Sequence, residues 1–166
     1  MHWHTVMPLY TFLDKRITLY AAFTISSFRM RSVIFRQLFE KESSTYTYLL
    51  ACRKTQKAVI IDPVLETVDR DGRLIKELDL TVVYGLNTHV HADHITGTHS
   101  LREHCPEMKT GLGISNTAKS DIKFGHGEKI NVGDSIQLEV RSTPGHTDGC
   151  VTYVGKSLII INEKLD

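Results

Sequence analysis

The stretch Thr88-His89-Val90-His91-Ala92-Asp93-His94 places three imidazoles and one carboxylate within six residues, His89 to His94. Imidazole nitrogen and carboxylate oxygen are ligands for divalent metals. Read alone, any one of these histidines is an ordinary core or surface residue. Four such groups in six positions point to a metal site. His146 follows 52 residues after His94, in the Pro-Gly turn Thr143-Pro144-Gly145-His146-Thr147, and supplies a further imidazole. The pattern predicts a metal hydrolase or oxygenase.

The flanking sequence says how the cluster is presented. Leu80–Leu86 reads as a buried strand that runs into the cluster, and Ile95–Cys105 reads as a helix stopped by Pro106. Ligands on such a loop are held by the rigid elements on either side. His89 and His91 alternate, so both reach one ion only where the backbone curves. Asp93 and His94 are adjacent and must point differently, which suits a second metal or a place around the first metal's ligands. The other histidines carry less. His99 and His104 are five apart and fall on different helix faces, and His126 sits in a glycine-flanked loop. Each is expected to be structural or solvated, and His2 and His4 beside Trp3 look incidental.

Further out, Val33–Phe39 and Thr45–Cys52 are rich in β-branched and aromatic residues and predict an opening hairpin. Ala58-Val59-Ile60-Ile61 predicts a short strand ending at Asp62-Pro63. Val64–Leu78 has helical apolar spacing with an expected interruption at Asp71-Gly72. After a strand punctuated by Gly111 and Gly113, two hairpins are expected. One joins Lys129–Ile130 to Ser135–Val140. The other joins Cys150–Val154 to Ser157–Ile161 through Gly155-Lys156. Strands and helices in this order imply a mixed α+β layered domain.

Composition bounds the function. With 41% hydrophobic and 23% charged residues, the chain is expected to be one soluble globular domain. A net charge of +1 implies no general attraction to nucleic acid or anionic membrane. No apolar run approaches the ~20 residues needed to span a bilayer. Cys52, Cys105 and Cys150 are isolated, which favours reduced, buried thiols. Residues 1–32 contain Asp14 as their only acid, against several arginines and serines. They are expected to be a mitochondrial transit peptide or a disordered start.

The motif His89-x-His91-x-Asp93-His94 resembles the signature of the metallo-β-lactamase superfamily. Three longer runs resemble, more narrowly, the mitochondrial persulfide dioxygenases of the ethylmalonic encephalopathy protein family. They are Ile61-Asp62-Pro63-Val64, Asn87 through Gly97, and Pro144-Gly145-His146-Thr147-Asp148-Gly149-Cys150-Val151-Thr152. The resemblance covers about 35–154. It implies an αββα sandwich, here its N-terminal half only, with metal ligands on loops at one edge. It implies one Fe(2+) per chain, held by two histidines and an aspartate, with positions open for O2 and substrate. His89 and His146 match the two histidine ligands. His91, Asp93 and His94 match positions that hold a second metal in dinuclear zinc relatives, and here stand around the iron. The implied reaction takes glutathione persulfide, O2 and water to sulfite and glutathione in the mitochondrial matrix. The implied partners are these small molecules and a second copy of the chain, with no nucleic acid and no membrane.

The match stops at Val154, before the family's Gly-Asp pair whose aspartate is the third iron ligand. Residues 155–166 are expected to be translated intron, since Gly155-Lys156-Ser157 can be encoded by a splice-donor consensus, or a divergent C-terminus. Glu163 is a candidate substitute carboxylate. On this reading most of the second sheet is missing, iron binding is weak and turnover is poor. Two alternatives stay open: a glyoxalase-II-type thioester hydrolase with two Zn(2+), and a fragment without activity. The domain reading is 1–32 as leader or disordered start, 33–154 as partial metallo-β-lactamase-like domain, and 155–166 as divergent tail.

Overall fold

All four side chains of Ala58-Val59-Ile60-Ile61 are buried, and two separate cores account for this. Side chains alternate across a strand, so Val59 and Ile61 enter one core while Ala58 and Ile60 enter the other. The structure, a computed structural model, describes residues 32–90, 96–156 and 158–160. Six strands form the first sheet: β1 (Val33–Phe39), β2 (Tyr46–Cys52), β3 (Lys57–Ile61), β4 (Thr81–Leu86), β5 (Lys109–Gly113) and β6 (Ile122–Phe124), neighbours in that order. β1, β2 and β3 are antiparallel, whereas β3 to β6 run parallel. The expected opening hairpin is β1–β2, registered from Val33 opposite Cys52 to Phe39 opposite Tyr46.

Parallel neighbours need a crossover between them. Between β3 and β4 it is a 3-10 turn, Leu65–Thr67, followed by helix α1, Val68–Glu77. α1 sets Val68 and Ile75 against Leu49, Ala51, Ala58 and Ile60 on the outer face of the sheet. The helix runs unbroken through Asp71-Gly72, contrary to the expected interruption. Glycine in a helix costs about 1 kcal/mol against alanine. Here its small size is used, since a Cβ on Gly72 would lie 2.6 Å from Cγ of His104. Asp71 is buried beside it. Burial pushes its carboxyl up, opposed by the Arg70 guanidinium, whose Nε donates to Oδ1 at 2.8 Å. Arg70 also donates to the Phe39 carbonyl at 2.9 Å, tying α1 to the end of β1.

A second sheet covers the inner face. Its strands β7 (Lys129–Val132), β8 (Ile136–Ser142), β9 (Val151–Gly155) and β10 (Leu158–Ile160) are antiparallel in the order β10-β9-β8-β7. The expectation that this sheet would be mostly missing is corrected. Ile130, Val132, Ile136, Leu138, Val140, Val151 and Tyr153 are buried and join Tyr48, Leu50, Val59, Ile61 and Leu86 in one inter-sheet core. β8 alternates Ile136, Leu138 and Val140 inward with Gln137, Glu139 and Arg141 outward, the pattern of a sheet with one wet face. Both expected later hairpins are present, as β7–β8 and β9–β10. The described residues therefore make three layers of the αββα arrangement: helix, sheet, sheet.

The helix expected over Ile95–Cys105 is also corrected. Of its described residues, Ser100–Glu103 form one 3-10 turn, and Thr96 instead makes an isolated β-bridge with Val64. Gly97 explains the change. Its N–H donates to the Pro63 carbonyl at 2.7 Å, and a Cβ there would lie 2.8 Å from the Val64 backbone. Close approach of two backbones outweighs helical spacing here. The expected leader falls almost wholly outside the described residues.

Glu40 stabilises the β1–β2 turn. Its carboxylate accepts from the N–H groups of Glu42 and Ser43, at 2.8 and 2.7 Å, and from the Ser43 hydroxyl at 2.7 Å. These donors, the Glu42 N–H foremost, lower its pKa from 4.5 to about 2. A depressed carboxylate stabilises the fold above its unfolded value and loses that contribution as pH falls through the folded one. Urea midpoints should therefore be higher for wild type than for Glu40→Gln at pH 7. The gap should close between pH 4.5 and about 2; a gap that is constant over that range would contradict it.

Candidate metal centre

Past the end of β4 the chain carries Asn87, Thr88 and His89 into the interior, with relative exposures of 5%, 0% and 2%. Buried polar groups need partners, and the neighbouring end of β3 supplies them. Asp62 follows Ile61 with φ +50°, in the left-handed region where Asp and Asn are enriched. This turns its carboxylate under the β4 exit. Oδ1 of Asp62 accepts the Thr88 N–H at 2.8 Å and the Asn87 amide at 3.4 Å. Oδ2 accepts the Thr88 hydroxyl at 2.8 Å. That hydroxyl lies 3.0 Å from Nδ1 of His89. The Asp62 carbonyl accepts from the buried Thr47 hydroxyl, and the Asp62 N–H donates to the Leu86 carbonyl.

Asn87 extends the network. Its Oδ1 accepts the Thr98 hydroxyl at 2.7 Å, and its amide donates to Thr96 Oγ1 at 2.9 Å. Its backbone carbonyl accepts the Tyr153 hydroxyl at 2.9 Å. Tyr153 comes from the second sheet and is fully buried. Burial, and then the negative charge of Asp62, push its hydroxyl well above its usual range. The network thus joins the ends of β3 and β4, the segment after the His/Asp cluster, and β9.

His146 reaches the same place from the β8–β9 loop. The loop is closed by Thr143 N–H to the Cys150 carbonyl at 2.9 Å and by Thr147 N–H to Cys150 Sγ at 3.2 Å. Asn116 braces it, donating to the Gly149 and Gly113 carbonyls at 2.7 and 3.1 Å. Val151 N–H then donates to the Thr88 carbonyl at 2.8 Å, fastening the β9 start beside the residue before His89. His146 itself is exposed. Its ring meets that of His89 edge-on, with centroids 5.1 Å apart and planes at 86°. Histidine nitrogens sit ~2.1 Å from a bound metal, so two rings at this separation can share one ion. The donor set, two imidazoles of which one is buried and held at Nδ1, fits a first-row divalent metal.

His91, Asp93 and His94 lie outside the described residues, as does Glu163. Among the described residues no group of three or more His, Cys, Asp or Glu could hold a metal. The remaining described histidines are peripheral. His104 packs on Gly72 and sits 3.5 Å from Asp69, and His126 accepts the Ser142 N–H at 3.1 Å. His99 is exposed. Sequence reasoning did not single out Asp62, Thr88, Asn87 or Tyr153 as parts of the site. The available signal was an acid ending a wholly apolar strand, directly before Pro63.

Tyr153→Phe removes one donor and leaves the buried Asn87 carbonyl short of it. A loss of about 1–3 kcal/mol is expected, read as a lower urea midpoint with unchanged slope.

Sequence comparison fits this geometry. The profile of the metallo-beta-lactamase superfamily matches residues 41–110. Persulfide dioxygenase ETHE1, mitochondrial, of Mus musculus is 52% identical over 122 residues, which is 74% of this chain and 48% of the mouse protein. Glyoxylase B2 of Dictyostelium discoideum is 33% identical over 145 residues, covering 69% of this chain and 49% of that protein. The crystal structure of ETHE1 from Myxococcus xanthus is 46% identical with a TM-score of 0.69, covering 74% of this chain and 53% of that one. The chain spans about half the length of the curated relatives it matches. Two apposed histidines on a helix-sheet-sheet frame, and this degree of identity, agree: over the matched residues the chain carries a metallo-β-lactamase superfamily domain and is a homologue of the persulfide dioxygenases.

Proposed function

We propose that this protein acts as a persulfide dioxygenase, taking glutathione persulfide, O2 and water to sulfite and glutathione. The observation that carries the reading is the apposition of His89 and His146, 5.1 Å between ring centroids, in a chain 52% identical to a persulfide dioxygenase over the matched residues. His89 and His146 would hold one Fe(2+), with a carboxylate as third ligand. Glu163 is a candidate for that carboxylate. His91, Asp93 and His94 would stand around the site and orient ligands and water. Bound there, ferrous iron supplies open positions for O2 and the persulfide sulfur. The chain's own share is positional. Thr88 holds the His89 ring from behind, and the braced β8–β9 loop holds His146 at the exposed mouth.

The persulfide dioxygenase ETHE1 of Mus musculus is described as mitochondrial. We extend that location to this chain, with residues 1–32 as the import signal, the matrix as destination and a homodimer as assembly. No helix among the described residues is long and apolar enough to cross a membrane. The second reading is a thioester hydrolase with two Zn(2+). It is favoured by Asp93 and His94 in the sequence and by the likeness to Glyoxylase B2.

Metal analysis and oxygen uptake separate these readings. The chain, loaded anaerobically, should take up one iron weakly and consume O2 with glutathione persulfide slowly. His89→Ala and His146→Ala should each weaken iron binding at least about 10-fold, judged against the 10–100-fold cost of losing a mere supporting group. Two zincs per chain with thioester hydrolysis would replace the dioxygenase reading. Iron uptake without oxygen consumption would keep the metal site and remove the activity from this chain.

A further inference from the structure

The protons of the buried network can be placed one by one. Oδ1 of Asp62 receives the N–H of Thr88 and an amide hydrogen of Asn87. Both are donors, so this oxygen must accept. Oδ2 receives the Thr88 hydroxyl at 2.8 Å. A threonine hydroxyl has one hydrogen, and here Asp62 takes it. Toward Nδ1 of His89, 3.0 Å away, Thr88 Oγ1 can then only accept. Nδ1 must therefore carry the imidazole hydrogen. In a neutral imidazole the lone pair then lies on Nε2.

We propose that Asp62 is a positioning residue that acts through the Thr88 hydroxyl to hold His89 as its Nδ1–H tautomer, with the Nε2 lone pair set for a metal. The inference rests on the reading of His89 as a ligand. Metal-bound histidines commonly donate their second N–H to a carboxylate or carbonyl, which fixes the ring and its tautomer. In this chain the carboxylate sits one hydroxyl further back. The site therefore depends on a residue 26 positions before Thr88, at the end of a different strand.

Asp62→Asn tests the relay at minimal structural cost. Asparagine has the same shape and tolerates the +50° φ. Its carbonyl oxygen must take the Oδ1 place, because two donors converge there. Its NH2 then falls in the Oδ2 place and donates to Thr88 Oγ1. The hydroxyl hydrogen is thereby turned onto His89 Nδ1, and the imidazole hydrogen is driven to Nε2.

The measurement is long-range 1H–15N correlation on metal-free, 15N-histidine-labelled full chain at about pH 8, where imidazoles are neutral. The His89 signals are those lost in His89→Gln. Wild type and Thr88→Ser should show the Nδ1–H form. Asp62→Asn should show the Nε2–H form, and Thr88→Val a mixture. Ferrous iron affinity, read anaerobically by chelator competition, should fall about 10–100-fold in Asp62→Asn and return towards wild type in Thr88→Ser relative to Thr88→Val. An Nε2–H or mixed His89 in wild type overturns the proposal. So does an unchanged tautomer in a folded Asp62→Asn, as judged by near-UV circular dichroism. If that variant unfolds, Thr88→Val decides, and a single Nδ1–H form there overturns the relay. A wild-type chain with the expected tautomer that takes up no iron upholds the relay and overturns the functional reading.

Discussion

A carboxylate buried at the ends of two parallel strands is the constraint around which this molecule is arranged. Asp62 is 5% exposed, and leaving such a group unpaired would cost far more than any single hydrogen bond returns. Its partners must therefore be in place when the sheet forms. They are the Thr88 N–H and hydroxyl and the Asn87 amide, all from the segment leaving β4. Pairing of β3 with β4 brings Ile61 opposite Leu86 and so sets Asp62 level with Asn87 and Thr88. A slip of one residue would invert both faces of each strand and would also orphan the carboxylate. The same requirement that selects the register thus sets the His89 backbone at the sheet edge.

Much of this was legible from local pattern. Nine of the ten described strands were anticipated from apolar runs, because a strand buried on both faces, such as Ala58–Ile61, has little other reading. The His89-to-His94 cluster was legible because its four groups are adjacent in sequence. What was not legible is non-local. Asp62 and Thr88 are 26 residues apart, and Tyr153 meets the Asn87 carbonyl across 66. No window of sequence contains both partners. The misread helix at Ile95–Cys105 has the same origin. Its spacing suits a helix, but the contact of Gly97 with the Val64 backbone belongs to tertiary structure. Asp71-Gly72 failed in the opposite direction. The breaker sits inside α1 because the His104 ring occupies the space of a Cβ.

The positions of the two imidazoles have an energetic meaning of their own. His89 leaves the first sheet and His146 precedes β9 of the second. Apart from the apolar inter-sheet core, the described polar ties between the sheets near this edge are few: Val151 N–H to Thr88, Tyr153 hydroxyl to Asn87, and the Asn116 amide between Gly113 and Gly149. A metal held by both rings would add a further tie at the mouth of the sandwich. Its free energy of binding would then count toward sheet packing, because a ligand that binds only the folded state stabilises it by RT ln(1 + [L]/Kd), about 2.7 kcal/mol at a hundredfold excess over Kd. The coupling runs both ways. Whatever loosens the sheets also separates His89 from His146, so metal affinity depends on how well the inter-sheet core is packed. The buried polar network sits at the junction of the two effects: it orders the β4 exit that carries His89 and, through Tyr153, binds that exit to the second sheet.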